Sequence, residues 1–286
     1  MEMGKIKIAV WNICGPARGE NYPDSARKIN RLQDNINPDI ALYLEAPEKN
    51  WLGVKSGTWK GKPFWAGTGM EGNPKGILAV CYNENLRIVE EKLSHSTGKT
   101  AIGLTVFFGE TEILHLLGVW TTPFQDNKTQ EIYLDTLKHI LADCHESGFL
   151  KADAVPCIVA GDTNVNLDSE NGQKQNTKEK CIARREPLAK FLNGYGLTLL
   201  NHPDIFTHRQ YEKDKGKIIE ESQAFFQCDL LMVSNTMLKD SEPPNIEPIS
   251  LGHSVEHISK EFEKWGSDHL PLFFSINYAD DSDNKD

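Results

Sequence analysis

The stretch Val155-Pro156-Cys157-Ile158-Val159-Ala160-Gly161-Asp162-Thr163-Asn164 decides how this chain is read. Its apolar part is short and rich in β-branched residues, so it reads as a buried strand, and polar side chains begin where the strand stops. The same shape recurs along the chain. Ile6–Trp11 is followed by Asn12, Ile40–Leu44 by Glu45, and Phe225–Cys228 by Asp229, while Gly266-Ser267-Asp268-His269 leads into a strand beginning at Leu270-Pro271. Polar groups at strand ends converge on one edge of a sheet, where ligand clefts form in α/β proteins.

The segments between these strands supply the rest of an α/β pattern. Asp24–Ile36 places Ala26, Ile29, Leu32 and Ile36 at helical spacing, and Asn37-Pro38-Asp39 ends that helix before the Ile40 run, a β-α-β opening. Strands Ile77–Tyr82, Leu86–Glu91, Ala101–Phe108 and Ile113–Trp120 follow, turning at Glu84-Asn85 and Gly109-Glu110. Helices are expected over Lys128–Glu146 and Arg185–Tyr195, and further strands over Leu197–Asn201, Phe225–Val233 and Leu270–Ile276. Asn166–Arg184 and Asn235–Gly266 fit no regular element except a helix at Val255–Trp265. Loops this long in a compact domain are functional or disordered. No repeat or Pro/Gly/Ser linker divides the chain. The polar strand ends run from Asn12 to His269, so neither half builds the site alone, and we expect one catalytic domain over 1–276 with an acidic flexible tail, 277–286.

Of the 286 residues, 39% are hydrophobic and 25% charged, and the net charge is −10, as in an ordinary globular protein and unlike a disordered or membrane-embedded one. That charge argues against a non-specific nucleic-acid coat protein but not against an enzyme that meets nucleic acid through a metal and a few basic loops. The six cysteines form no CxxC pair and read as buried reduced thiols of a reducing compartment. No stretch reads as a signal peptide or approaches the roughly 20 apolar residues of a membrane span, so we expect a cytoplasmic protein with no membrane partner.

Glu45, Asp162 and Asp268 are hard oxygen donors, and Asn12 and Asn164 can add neutral carbonyl oxygens. Two carboxylates about 4 Å apart repel by roughly 4 kcal/mol at an effective dielectric near 20, so such a cluster calls for a cation or raised pKa values. The ligand set suits Mg²⁺, with Mn²⁺ as a substitute, better than zinc. Singly, each residue has an ordinary reading as a turn former, a helix cap or a solvated loop carboxylate. The ordered set, each member at the end of its own strand, changes the weighting.

In this order and spacing, Val10-Trp11-Asn12, Asp39–Glu45, Gly161-Asp162-Thr163-Asn164, Cys228-Asp229 and Ser267-Asp268-His269-Leu270-Pro271 resemble the endonuclease/exonuclease/phosphatase superfamily over nearly the whole chain. The resemblance implies a four-layer α/β sandwich of two mostly antiparallel sheets flanked by helices. It implies Glu45 as principal metal ligand, supported by Asn12 and Asp268. Asp162 would orient or deprotonate the attacking water, Asn164 would hold a phosphate oxygen, and His269, oriented by Asp229, would donate to the phosphate.

One position departs from the pattern: Gly118-Val119-Trp120-Thr121-Thr122-Pro123 puts Trp120 where many relatives carry tyrosine or histidine near the leaving group. An indole cannot deliver a proton. Three readings stay open: a metal-bound water protonates the leaving oxygen, Trp120 binds substrate by stacking on a base, or Trp120 is packing. His115, five residues earlier on the same strand, falls on the opposite face.

Asn171–Arg185 carries five basic residues, including Arg184 and Arg185, against one acidic, and Thr207–Ile219 carries four, including Arg209, against two. Basic loops beside an acidic site fit a polyanionic substrate. The favoured expectation is a Mg²⁺-dependent phosphodiester hydrolase acting on nucleic acid, DNA over RNA. The alternatives are a phosphoesterase of inositol phosphates, nucleotides or phospholipid headgroups, and a non-catalytic binding module. Oligomeric state is not legible.

Overall fold

The computed structural model describes residues 3–13, 25–68, 75–94, 97, 100–121, 130–150, 155–170, 177–201, 207–210, 213–214, 217–218, 224–240, 245–246, 265 and 267–279. In chain order the elements begin β1 (Met3–Asn12), α1 (Ser25–Ile36), β2 (Ile40–Pro47), α2 (Glu48–Lys55), β3 (Lys62–Thr68), β4 (Lys75–Cys81), β5 (Leu86–Glu91), β6 (Ala101–Phe108) and β7 (Thr111–Trp120). Next come α3 (Gln130–Glu146), β8 (Cys157–Asp162), β9 (Ser169–Glu170), α4 (Lys178–Ile182), α5 (Arg185–Asn193), β10 (Leu197–Leu199), β11 (His208–Gln210), β12 (Lys213–Asp214) and β13 (Lys217–Ile218). The chain closes with β14 (Ala224–Phe226), β15 (Asp229–Ser234), α6 (Asn235–Asp240), β16 (Asn245–Ile246) and β17 (Leu272–Ala279).

Two six-stranded sheets result, ordered β16-β17-β1-β2-β4-β3 and β10-β15-β8-β7-β6-β5. Each has one internal parallel pair, β1 with β2 and β7 with β8, and antiparallel neighbours elsewhere. One face of each sheet is buried against the other sheet: Ile6, Ile8, Val10, Leu42 and Phe274 meet Leu104, Leu116, Ile158, Ala160 and Leu231 in a single apolar cluster. The outer face of the first sheet packs on α1 and α2 through Ile29, Leu32 and Val54, and that of the second on α3 and α5 through Leu137, Ile140, Leu188 and Leu192. These are the four layers expected from the sequence, and the alternation of residues between the two clusters is the period of two of a strand buried on both faces.

Sequence periodicity missed α2 and β3, whose Trp, Lys and Gly residues do not alternate cleanly. The expected strand Phe225–Val233 is broken at Gln227-Cys228, because Phe226 ends a small sheet with β11 and β9 whereas Asp229 begins pairing with Asp162. The last strand runs to Ala279, paired with Met3, so residues 277–279, expected in the tail, belong to the strand, and the rest of that segment lies outside the described residues. The expected loop Asn166–Arg184 contains β9 and α4, and Asn235–Gly266 contains α6 and β16. Of the Val255–Trp265 helix only Trp265 falls within the described residues. Five cysteines (Cys81, Cys144, Cys157, Cys181 and Cys228) are free and buried, and no helix among the described residues is long and apolar enough to cross a membrane.

Two backbone conformations set up the site. Gly161 has φ 154, and a Cβ there would collide with the Val119 carbonyl, so only glycine lets β8 approach β7 one residue before Asp162. Glu45 has φ 52, inside a register shift between Tyr43 and Ala46, a bulge that re-aims its side chain.

Candidate active site

Side chains alternate along a strand, so residues two apart share a face. Val10 and Ala160 belong to the cluster between the sheets, and two residues further on the same face continues as Asn12 and Asp162. Asp229 stands two residues before Leu231 of that cluster. The site is therefore the inter-sheet core carried one step past its apolar end. Glu45 follows Leu44 and would point to the other face without its bulge.

Asn12 joins the two sheets. Its Nδ2 donates to Glu45 Oε1 (3.0 Å) on the first sheet and to Asp162 Oδ2 (2.9 Å) on the second. Asp162 Oδ1 accepts from the Asn164 backbone N–H (2.8 Å). The His269 ring lies between two carboxylates, Nδ1 at 3.0 Å from Asp229 Oδ2 and Nε2 at 3.9 Å from Asp162 Oδ2. The ring's own backbone is fastened by Trp11, whose Nε1 donates to the His269 carbonyl (2.9 Å). Asn12, Glu45, Asp162, Asn164, Asp229 and His269 thus form one continuous network. Asp268 adjoins it with Oδ1 buried and without a hydrogen-bond partner, and Asp229 Oδ1 is in the same condition. Orphaned buried carboxylate oxygens are costly unless a cation or ligand meets them.

The electrostatics separate the carboxylates. Burial pushes Asp162 up, Asp229 adds like-charge repulsion, and the opposing pull of His269 and Asn12 leaves it at about 7. For Glu45, burial also pushes upward, but the Asn12 hydrogen bond and the Lys75 ammonium outweigh it and the result lies below the ordinary glutamate value. Lys75 Nζ is 3.1 Å from Glu45 Oε2. Burial would lower His269, yet Asp229, Asp162 and Asp268 together raise it to about 10, so the ring is an imidazolium at neutral pH.

Asn164 takes the left-handed conformation (φ 53) and gives its side-chain N–H to the Thr121 carbonyl (3.1 Å). Gln130 of α3 holds this turn from outside, donating to the Asn164 carbonyl (3.0 Å) and accepting from the Asn166 N–H (2.7 Å).

The basic residues proposed as substrate contacts fare differently. Arg184 donates to the Asn166 carbonyl, and Arg185 to the Leu167 and Asn201 carbonyls and to Gln227 Oε1. Both act as ties on the loop that follows Asn164. Arg209 lies in β11, and its backbone pairs with Phe225. Trp120 is 8% exposed and belongs to the inter-sheet core, which corresponds to the packing option of the three. His115 lies on the other face of β7, held by Glu112 (2.6 Å) and the Phe149 carbonyl (2.8 Å).

Several residues at the site had no sequence signal. Lys75 falls two residues before the strand expected from Ile77 and is the first residue of β4. His208 forms a bridge with His269 and places its ring 4.5 Å from that ring; burial pulls it down to about 4, so it is neutral. Lys28 is fully buried and donates to the Ile13 carbonyl (3.0 Å) and Ser267 Oγ (3.1 Å), tying the turn after β1 to the turn before His269. A helical lysine reads as a solvated residue until its surroundings are known.

For a cation, the sequence reading names the oxygens of Glu45, Asp268 and Asn12 as the hard donor set. Cys228, Asp229 and His269 also place ligand atoms within 4.8 Å of one another. Burial and the neighbouring Asp162 and Asp229 push the Cys228 thiol far above its ordinary value, so without a cation beside it the thiol stays protonated.

No family profile matches the sequence, and no curated protein matches it. Solved structures do. The endonuclease domain of TRAS1, a telomere-specific non-LTR retrotransposon, superposes with a TM-score of 0.55 at 17% identity over 96% of this chain and 98% of that one. TDP2 from Caenorhabditis elegans gives 0.57 at 12% identity over 96% and 75%. ANGEL2, a 2',3'-cyclic phosphatase, gives 0.60 at 12% identity over 96% and 95%. The chain therefore shares the fold of these three proteins, and that fold is the four-layer α/β sandwich expected from the strand-end pattern.

Proposed function

We propose that the protein is a divalent-metal-dependent phosphodiester hydrolase and that its substrate is nucleic acid, DNA over RNA. The observation that carries this reading is the pair of carboxylates bridged by Asn12 and driven in opposite directions, Glu45 down and Asp162 up to about 7. Carboxylates whose environments separate them in this way take different roles in one reaction. Glu45, Asp268 and Asn12 would hold Mg²⁺, or Mn²⁺ in its place, which when bound supplies Lewis acidity at a phosphoryl oxygen.

The rest is work for the chain's own groups. Asp162, fixed by Asn12 and by the Asn164 N–H, orients a water in line with the scissile bond and accepts its proton at an oxygen poised near neutrality. His269, held cationic by Asp229, donates to a non-bridging phosphate oxygen as charge accumulates there, and Asn164 steadies a second. Burial of the network keeps bulk water from screening these interactions.

Incubation with plasmid, single-stranded DNA and RNA in Mg²⁺ tests the proposal. Wild type should cleave at least DNA, and Glu45→Gln should not. The fold shared with the ANGEL2 phosphatase supports one second reading, the same chemistry on a small phosphoester. Phosphate release from nucleotides or inositol phosphates, with all three polynucleotides left intact, would select it.

A further inference from the structure

We infer that the outer edge of the first sheet, where α2 covers β3, is a docking face for single-stranded nucleic acid beside the site; this rests on the phosphodiesterase reading and deepens it. The chain is acidic as a whole, at −10. From Glu48 to Thr68, however, it carries four lysines (Lys49, Lys55, Lys60 and Lys62) and one carboxylate, Glu48. All four lysines are exposed.

Among them stand three partly buried indoles, packed against the apolar cluster under α1 and α2. Trp51 of α2 meets Trp65 of β3 with ring centroids 6.3 Å apart, and the Trp59 ring covers Gly53, where an added Cβ would stand 3.4 Å from it. One of the lysines already lies over a ring of this face, Lys55 Nζ 4.9 Å from the Trp51 centroid, whereas Lys62 lies over Phe64 (5.2 Å) on the opposite face of β3. Leu52, 50% exposed, is the most exposed large apolar side chain among the described residues and lies on the same helix. Aromatic faces interleaved with cations are what single strands bind: bases stack on the rings and phosphates pair with the ammonium groups.

Register places this face next to the chemistry. Thr68 at the end of β3 pairs with Lys75, which pairs with Pro47, two residues past Glu45. Lys62 at the other end pairs with Cys81. The seven residues of β3 span about 23 Å, enough to track a few nucleotides away from the scissile phosphate.

The test measures binding separately from cleavage. Asp162→Ala protein, in buffer containing chelator, is titrated into fluorescein-labelled dT20, and anisotropy is followed from 50 to 300 mM salt, with and without Lys49→Glu, Lys55→Glu and Lys60→Glu combined. The triple variant should keep the parent's circular dichroism, bind at least tenfold more weakly, and lose about 2 from the slope of log affinity against log salt, since each neutralised phosphate contributes about 0.7 on a single strand. Tryptophan fluorescence of the parent should be quenched on binding. Unchanged affinity and slope in a folded variant would overturn the docking face while leaving the hydrolase reading intact. Binding to phosphatidylserine-containing vesicles through the same lysines, with no binding of dT20, would overturn it in favour of a membrane surface. Failure of wild type to cleave any polynucleotide, by contrast, counts against the substrate class itself.

Discussion

The two sheets present their parallel pairs to the same cleft, and the carboxylates at their ends differ. On the first sheet, Glu45 is partly exposed, sits in a bulge and has an ammonium 3.1 Å away, so its charged form is favoured. On the second, Asp162 is 1% exposed, faces Asp229 and is left near neutrality despite His269. Asn12 donates to both, so hydrogen bonding to that amide does not distinguish them. The difference comes from burial and from the next charge along. In the proposed reaction the first would stay ionised beside a cation and the second would exchange a proton.

The comparison breaks most severely at Asp162. Asp162→Asn keeps the shape but can accept from only one of Asn12 and the Asn164 N–H, and it cannot take a proton; kcat should fall by about 10³–10⁴-fold. His269→Ala should cost about 10²–10⁴-fold in kcat, with KM changing less, when measured under saturating Mg²⁺.

A pH dependence follows from the two raised groups. Asp162 and His269 bind protons more tightly in the folded chain than in the unfolded one, so stability in the absence of metal should fall as pH rises. The loss runs from about 4 to about 7 for Asp162 and from 6.5 to about 10 for His269. Asp229→Asn removes the like charge beside Asp162 and the counter-charge of His269. Both limbs of the rate profile should move to lower pH, and a profile identical to wild type would show that Asp229 does not set either group. The smallest effect belongs to Lys75→Met. A pair with both side chains about a quarter exposed is worth under about 1 kcal/mol, so stability should barely change. The Mg²⁺ concentration for half-maximal rate should move by less than about tenfold.

Legibility in the sequence followed the same division. The strands carrying Asn12, Glu45 and Asp162 were plain, because an apolar run that stops at a polar residue records both the strand and the edge of the core. The fold followed from the order of those runs. Lys28, Lys75, Gln130 and His208 were not legible. Each role depends on at least one partner 30 or more residues away in the chain, and nothing in local periodicity marks a lysine that will be buried or a histidine that will face another ring. Arg184 and Arg185 show another limit: a basic run suggests a phosphate contact, and nothing in it marks that both guanidiniums also hold carbonyls of the loop after Asn164. Trp120 stood out by its place in the pattern, and its burial gives it a packing role.

The most direct measurement of the central claim is the cleavage of one end-labelled DNA strand by wild type and Asp162→Ala, side by side, in Mg²⁺ and in chelator. The account predicts product only from wild type in Mg²⁺. Equal product from Asp162→Ala, or product from wild type that survives chelation, would contradict it.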